Sequence, residues 1–186
     1  MRVVRSLENF DRADNDVVCF LAGPCPASNK WRNDIISFLE GIEKDKTLTL
    51  DNLIIVDPFR KDWARNVAVS DETLNEQIKW EGKMLQSCDI LVAYFDKSKD
   101  EKDIFPMTLF ELAGNAMGIK ARFGNNKINY RILAYAHPEF AKFSDLKFEL
   151  ETLTEKWKTP ITLETTNKSI MTLASKILES YVKIAK

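Results

Sequence analysis

The chain has 186 residues, 45% of them hydrophobic, which is long and apolar enough to bury a core as one domain spanning 1–186 and excludes a disordered polymer. Lys and Arg number 27 against 28 Asp and Glu, a net charge of −1. That balance leaves no basic excess for gripping a nucleic-acid polymer, although a small anion could still be held by a few local donors.

Taken in chain order, short apolar runs alternate with helical patterns. Val3–Leu7 is a candidate edge strand, and Val17–Ala22 reads as a buried strand. Ser28 or Asn29 is placed to cap a helix with Trp31, Ile35, Phe38 and Ile42 on one face. Leu53–Val56 is the next strand, stopped by Pro58. Asp71 is expected to cap a second helix whose apolar stripe is Leu74, Ile78 and Leu85. Ile90–Phe95 is a strand, followed by a charged loop from Asp96 to Asp103 and a mostly apolar helix over Thr108–Met117 ended by Gly118. Residues 120–130 read as an exposed loop, Ile132–Ala136 as a strand stopped by Pro138, and Ile161–Leu163 as a short one. Asn167–Ala185 is a terminal helix turning Ile170, Leu173, Ala174, Ile177, Leu178 and Tyr181 inward. Alternating strands and helices with near-continuously apolar strands imply an α/β fold, a parallel sheet of about five strands with helices on both faces. In such a sheet ligands sit beyond the carboxyl ends of the strands.

Several chemistries lack their residues. Cys19, Cys25 and Cys88 are scattered, and His137 is the single histidine, so no ordinary metal cluster is expected. There is no GxGxxG after Val17–Ala22, no GxxxxGK[ST] and no GxSxG. Cys25, at a strand's carboxyl end, has no evident partner base and reads as a loop residue. No run of about 18 apolar residues occurs, and Met1 to Arg12 contains no long apolar segment. The expectation is a cytoplasmic protein with no membrane association.

What remains is carboxylates in apolar company. Glu111 lies among Met107, Leu109, Phe110, Leu112 and Ala113, where an unpartnered charge is costly. Thr108-x-x-Glu111 also fits a capping box, so a cap and a first-turn functional carboxylate both remain open. Glu81 falls three residues after Ile78 and four before Leu85, with Gln77 one turn earlier. The pair is either a polar patch on a face that should be oily, or a helix edge from which Glu81 reaches solvent. Asp89, at the start of a strand, reads as a turn or cap residue, and Asp57 with Arg60 as an Asp-Pro turn at the ligand end.

Together these residues resemble the nucleoside 2-deoxyribosyltransferase family, especially its divergent branch. The matching pieces are Phe20-Leu21-Ala22-Gly23-Pro24, Lys30-Trp31-Arg32, Gln77-Ile78-Lys79-Trp80-Glu81, Cys88-Asp89-Ile90-Leu91-Val92-Ala93 and Phe110-Glu111-Leu112-Ala113, in order over about residues 17–118. The resemblance implies a flavodoxin-like domain, usually oligomeric, in which Glu111 is the catalytic nucleophile and Glu81 an acid that contacts the base. It further implies substrate contacts from Phe20, Gly23, Pro24, Asp57, Gln77, Asp103 and Met107. Partners would be a nucleoside or nucleotide and a nucleobase, with no cofactor, and the chain would be a homo-oligomer. Three positions depart from the family pattern. Cys19 stands where many members have an orienting tyrosine, Ala113 where glycine is usual, and Phe105 where an aspartate often precedes the glutamate, with Asp103 close enough to substitute. The implied reaction is transfer of a 2-deoxyribosyl group between bases. The alternatives are a hydrolase of deoxynucleosides or their 5′-monophosphates, with Arg60, Arg32 or Lys30 as phosphate donors, and a non-catalytic nucleotide sensor.

Overall fold

The computed structural model describes residues 1–24, 29–60, 70–97, 107–109, 111–114, 130–157, 161–164 and 170–185. Six strands form one sheet: β1 (Arg2–Arg5), β2 (Val17–Ala22), β3 (Leu53–Asp57), β4 (Ile90–Phe95), β5 (Arg131–Ala136) and β6 (Ile161–Glu164). Their order is β1-β3-β2-β4-β5-β6 and every neighbouring pair is parallel. Without β1 this is the flavodoxin-like order, in which the chain reverses direction across the sheet between β2 and β4. The central strands β2 and β3 are buried along their whole length, as their unbroken apolar runs require.

The helices are α1 (Lys30–Lys44), α2 (Asp71–Ser87), the helical residues 107–109 and 111–114 (α3), α4 (Phe143–Trp157) and α5 (Ile170–Ile184). Trp31, Ile35 and Leu39 of α1 and Leu173, Ala174, Ile177 and Tyr181 of α5 cover one face of the sheet. Trp80 and Met84 of α2, Leu112 of α3 and Leu146 and Leu150 of α4 cover the other. Alternate strand residues divide between these faces, so Cys19 and Leu21 meet α1 and α5 while Phe20 and Ala22 meet α2 and α3.

The structure corrects the sequence reading at several places. The sheet has six strands because the edge candidate does pair, over Arg2–Arg5 rather than Val3–Leu7. Leu7 takes φ 64°, a left-handed conformation that cannot continue a strand. Asn29 opens α1 in a left-handed conformation without a side-chain cap, and Arg32 and Ile36 replace Phe38 and Ile42 on its most buried face. Ser70, not Asp71, caps α2, accepting from the Thr73 amide at 3.3 Å. The inward stripe of α2 is Gln77, Trp80 and Met84, whereas Leu74 and Ile78 are 42% and 47% exposed. Of the expected stripe Leu85 does pack against the core, but the face is filled mainly by the longer Trp80 and Met84. α4 was missed, although Leu146, Leu150 and Leu153 have helical spacing. Gly118 and nearly all of the 120–130 loop lie outside the described residues.

Candidate active site

The site grows from Arg32. Its side chain is fully buried, on a stripe with Ile35, Ile36 and Leu39. A buried guanidinium must find acceptors, and it finds them in the turn after β2. Nε donates to the Leu21 carbonyl at 3.1 Å, Nη2 to Gly23 at 2.8 Å, and Nη1 to Pro24 at 2.9 Å and to Asn29 Oδ1 at 3.0 Å. Trp31, whose indole N–H also reaches Pro24 at 3.3 Å, stacks on Tyr94 with centroids 4.6 Å apart, and Tyr94 stacks on Tyr135 at 5.0 Å. A methyl on Gly23 would come within 2.6 Å of the Trp31 ring and 3.1 Å of the Tyr94 carbonyl. Glycine is needed there for close packing of α1 against the switch point.

Asp57, the last residue of β3, is the counter-charge. It is fully buried, 3.6 Å from Arg32 Nε, and it accepts from Asn29 Nδ2 at 3.1 Å, from the Phe59 amide at 3.0 Å and from Arg5. Expected among substrate contacts, it is instead engaged throughout by protein groups. Phe20 is likewise sealed in the core, and Gly23 and Pro24 are half-buried, with their carbonyls turned to Arg32. Met107, on α3, is exposed. Asp103, Phe105, Cys25, Ser28 and Phe110 lie outside the described residues. Two of the expected phosphate donors are otherwise committed. Arg32 is spent on carbonyls, and Lys30 projects outward to Asp34 at 2.6 Å.

The two glutamates meet beside Arg32. Gln77 of α2, fully buried, donates from Nε2 to Glu81 Oε1 at 2.6 Å and to the Pro58 carbonyl at 3.2 Å. Burial pushes Glu81 above the usual carboxylate range, against the Gln77 hydrogen bond and the Arg32 charge, which favour ionisation. Glu111, half-buried on α3, is pushed up to about 8, first by burial and then by the nearby charge of Glu81, with Arg32 opposing. Met107 and Thr108 are already helical, so Thr108 does not open α3 as a capping box would need. Glu111 thus lies on α3 near another carboxylate. Asp89 stands at the other edge, where it accepts from the Val18 amide at 2.8 Å and pairs with both carboxylate oxygens to Arg12.

Sequence reasoning missed Asn29, Arg5 and Ser6 as parts of this network and misjudged Arg32. Only Arg32 left a signal: a cation at helical spacing with Ile35, Ile36 and Leu39 must be paired inside. No group of His, Cys, Asp and Glu suited to a metal occurs among the described residues. No described helix is long and apolar enough to cross a membrane.

A flavodoxin-like sheet with two mutually repelling carboxylates beside its switch point defines a class of α/β proteins built to bind a small ligand there. A family model described as nucleoside 2-deoxyribosyltransferase like matches residues 16–123, and the chain belongs to that family. A search of curated proteins found no match. The family assignment carries a related, glycosyltransferase-type function in nucleoside metabolism.

Proposed function

We propose that the protein transfers a 2-deoxyribosyl group between nucleobases by double displacement. The observation that carries this reading is the placing of Glu111 beside Glu81, each half-buried and each near Arg32. A carboxylate oxygen of Glu111 attacks the anomeric carbon, the N-glycosidic bond breaks, and Glu81 gives its proton to the departing base. The glycosyl ester that forms is then attacked by a second base, whose proton returns to Glu81 as Glu111 is released. Each displacement passes through an oxocarbenium-like transition state, which favours a neighbouring negative charge. The first step needs one proton on the pair, a state that two like charges close together naturally hold.

Arg32 and Lys30 have their donors engaged elsewhere, so of the expected donors a 5′-monophosphate would depend on Arg60. The test is a panel of deoxynucleosides incubated with adenine or cytosine and resolved by chromatography. New nucleosides identify a transferase, free sugar alone a hydrolase, and intact substrate a sensor. Rapid quenching should leave a sugar adduct on the peptide containing Glu111. Glu111→Gln, which cannot form the ester, should lose activity by several orders of magnitude. A Glu111→Gln protein exchanging bases at near wild-type rate would overturn the mechanism.

A further inference from the structure

We propose that the amino-terminal edge strand is part of the site, and that Ser6 is a positioning residue which fixes the Gln77 amide with its N–H side toward Glu81. The inference rests on the role proposed for Glu81, but the hydrogen-bond geometry stands apart from it. Ser6 follows β1 and lies outside the span 16–123 shared with the family. Its hydroxyl donates to Gln77 Oε1 at 2.6 Å. On the other side of the amide, Nε2 serves the Pro58 carbonyl and Glu81 Oε1.

The chemistry of these partners allows one orientation. A backbone carbonyl and an ionised carboxylate only accept, while a serine hydroxyl can donate. Turned over, the amide would set Oε1 against two acceptors in a fully buried position, where such a mismatch is costly. The turn that presents Ser6 is itself pinned. Glu8 accepts from the Arg5 amide at 2.7 Å, its own amide donates to the Arg5 carbonyl at 3.0 Å, and its carbonyl takes the Trp80 indole N–H at 2.8 Å. Leu7 adopts its left-handed conformation within this turn, a backbone cost that the surrounding bonds offset. The neighbouring Arg5 meets Asp57, so both residues ending β1 reach into the network. Among the described residues the charged groups bearing on Glu81 are Arg32 from α1 and Glu111 from α3, with Asp57 and Arg5 beyond Arg32.

Titration of the glutamate side chains by carbon-13 NMR, on the full chain without substrate, tests this. Ser6→Ala removes the anchor of Gln77 Oε1 and loosens the Nε2 bond to Glu81, which should titrate higher than in wild type, because a weaker hydrogen bond favours the charged form less. Ser6→Thr, which keeps the hydroxyl, should restore the wild-type value. Ser6→Gly is the second variant without the hydroxyl, should the alanine form not fold. Unchanged glutamate titrations in a folded variant lacking the hydroxyl would overturn the proposal. Wild-type protein that exchanges no bases, while the variants still show this shift, would sink the transferase reading and leave the role of Ser6 standing.

Discussion

At Glu111, burial and the charge of Glu81 act in the same direction, and Arg32 alone opposes them. The pair therefore keeps a proton up to pH about 8. In the proposed mechanism this one-proton state is the productive one, so kcat/KM should follow a bell whose alkaline limb falls near pH 8. In Glu81→Gln the like charge is gone, Glu111 ionises at lower pH, and the alkaline limb should vanish. The remaining rate should be about 10²–10⁴-fold lower, the usual worth of proton transfer. An alkaline limb that survives in this variant would assign it to another group. Stability follows from the same shift. A carboxyl whose folded pKa is raised makes its contribution below the unfolded value, and that contribution is lost as pH rises through about 8. Glu111→Gln should therefore melt higher than wild type at pH 8 and nearly alike at pH 4, as calorimetry would read. The position of Glu111 costs the fold stability, as would be expected of the nucleophile proposed above.

Among the elements, α2 shows how a face is chosen. Leu74 and Ile78 satisfy a helical period, yet the sheet takes Gln77, Trp80 and Met84. The buried set is the one that fills the space over β2 and β4 and brings Gln77 to the turns after β1 and β3. Trp80→Ala should cost about 3–5 kcal/mol in denaturant unfolding, and Ile78→Ala less than about 1 kcal/mol. Equal losses at the two positions would contradict this packing. At α1 a comparable contest is settled by charge: the helix turns Arg32 inward because the carbonyls of Leu21, Gly23 and Pro24, with Asp57, are there to receive it.

For the molecule as a whole, the outward side of α2 leaves Leu74 and Ile78 as neighbours one turn apart, both well exposed in the single chain. With the oligomeric habit implied by the family resemblance, the chain is expected to self-associate. Sedimentation should give a mass of at least two chains at assay concentration. Fully active monomer would refute the expectation.

The order of strands and helices was legible in the sequence, because fully buried parallel strands must be apolar throughout and Val17–Ala22 and Ile90–Phe95 are bounded by polar or turn residues. Glu111 and Glu81 were legible for the opposite reason, as charges set in apolar surroundings. Tertiary structure alone decided which groups meet them. Ser6, Arg32, Asp57 and Gln77 come from four different elements or their flanking turns, and only the sheet order, with β1 beside β3 and β3 beside β2, brings them to one edge. Hydrogen bonds between residues 52 or 71 positions apart, such as Arg5 to Asp57 and Ser6 to Gln77, leave no local pattern to read. They exist because parallel pairing aligns the carboxyl ends of strands that are remote along the chain.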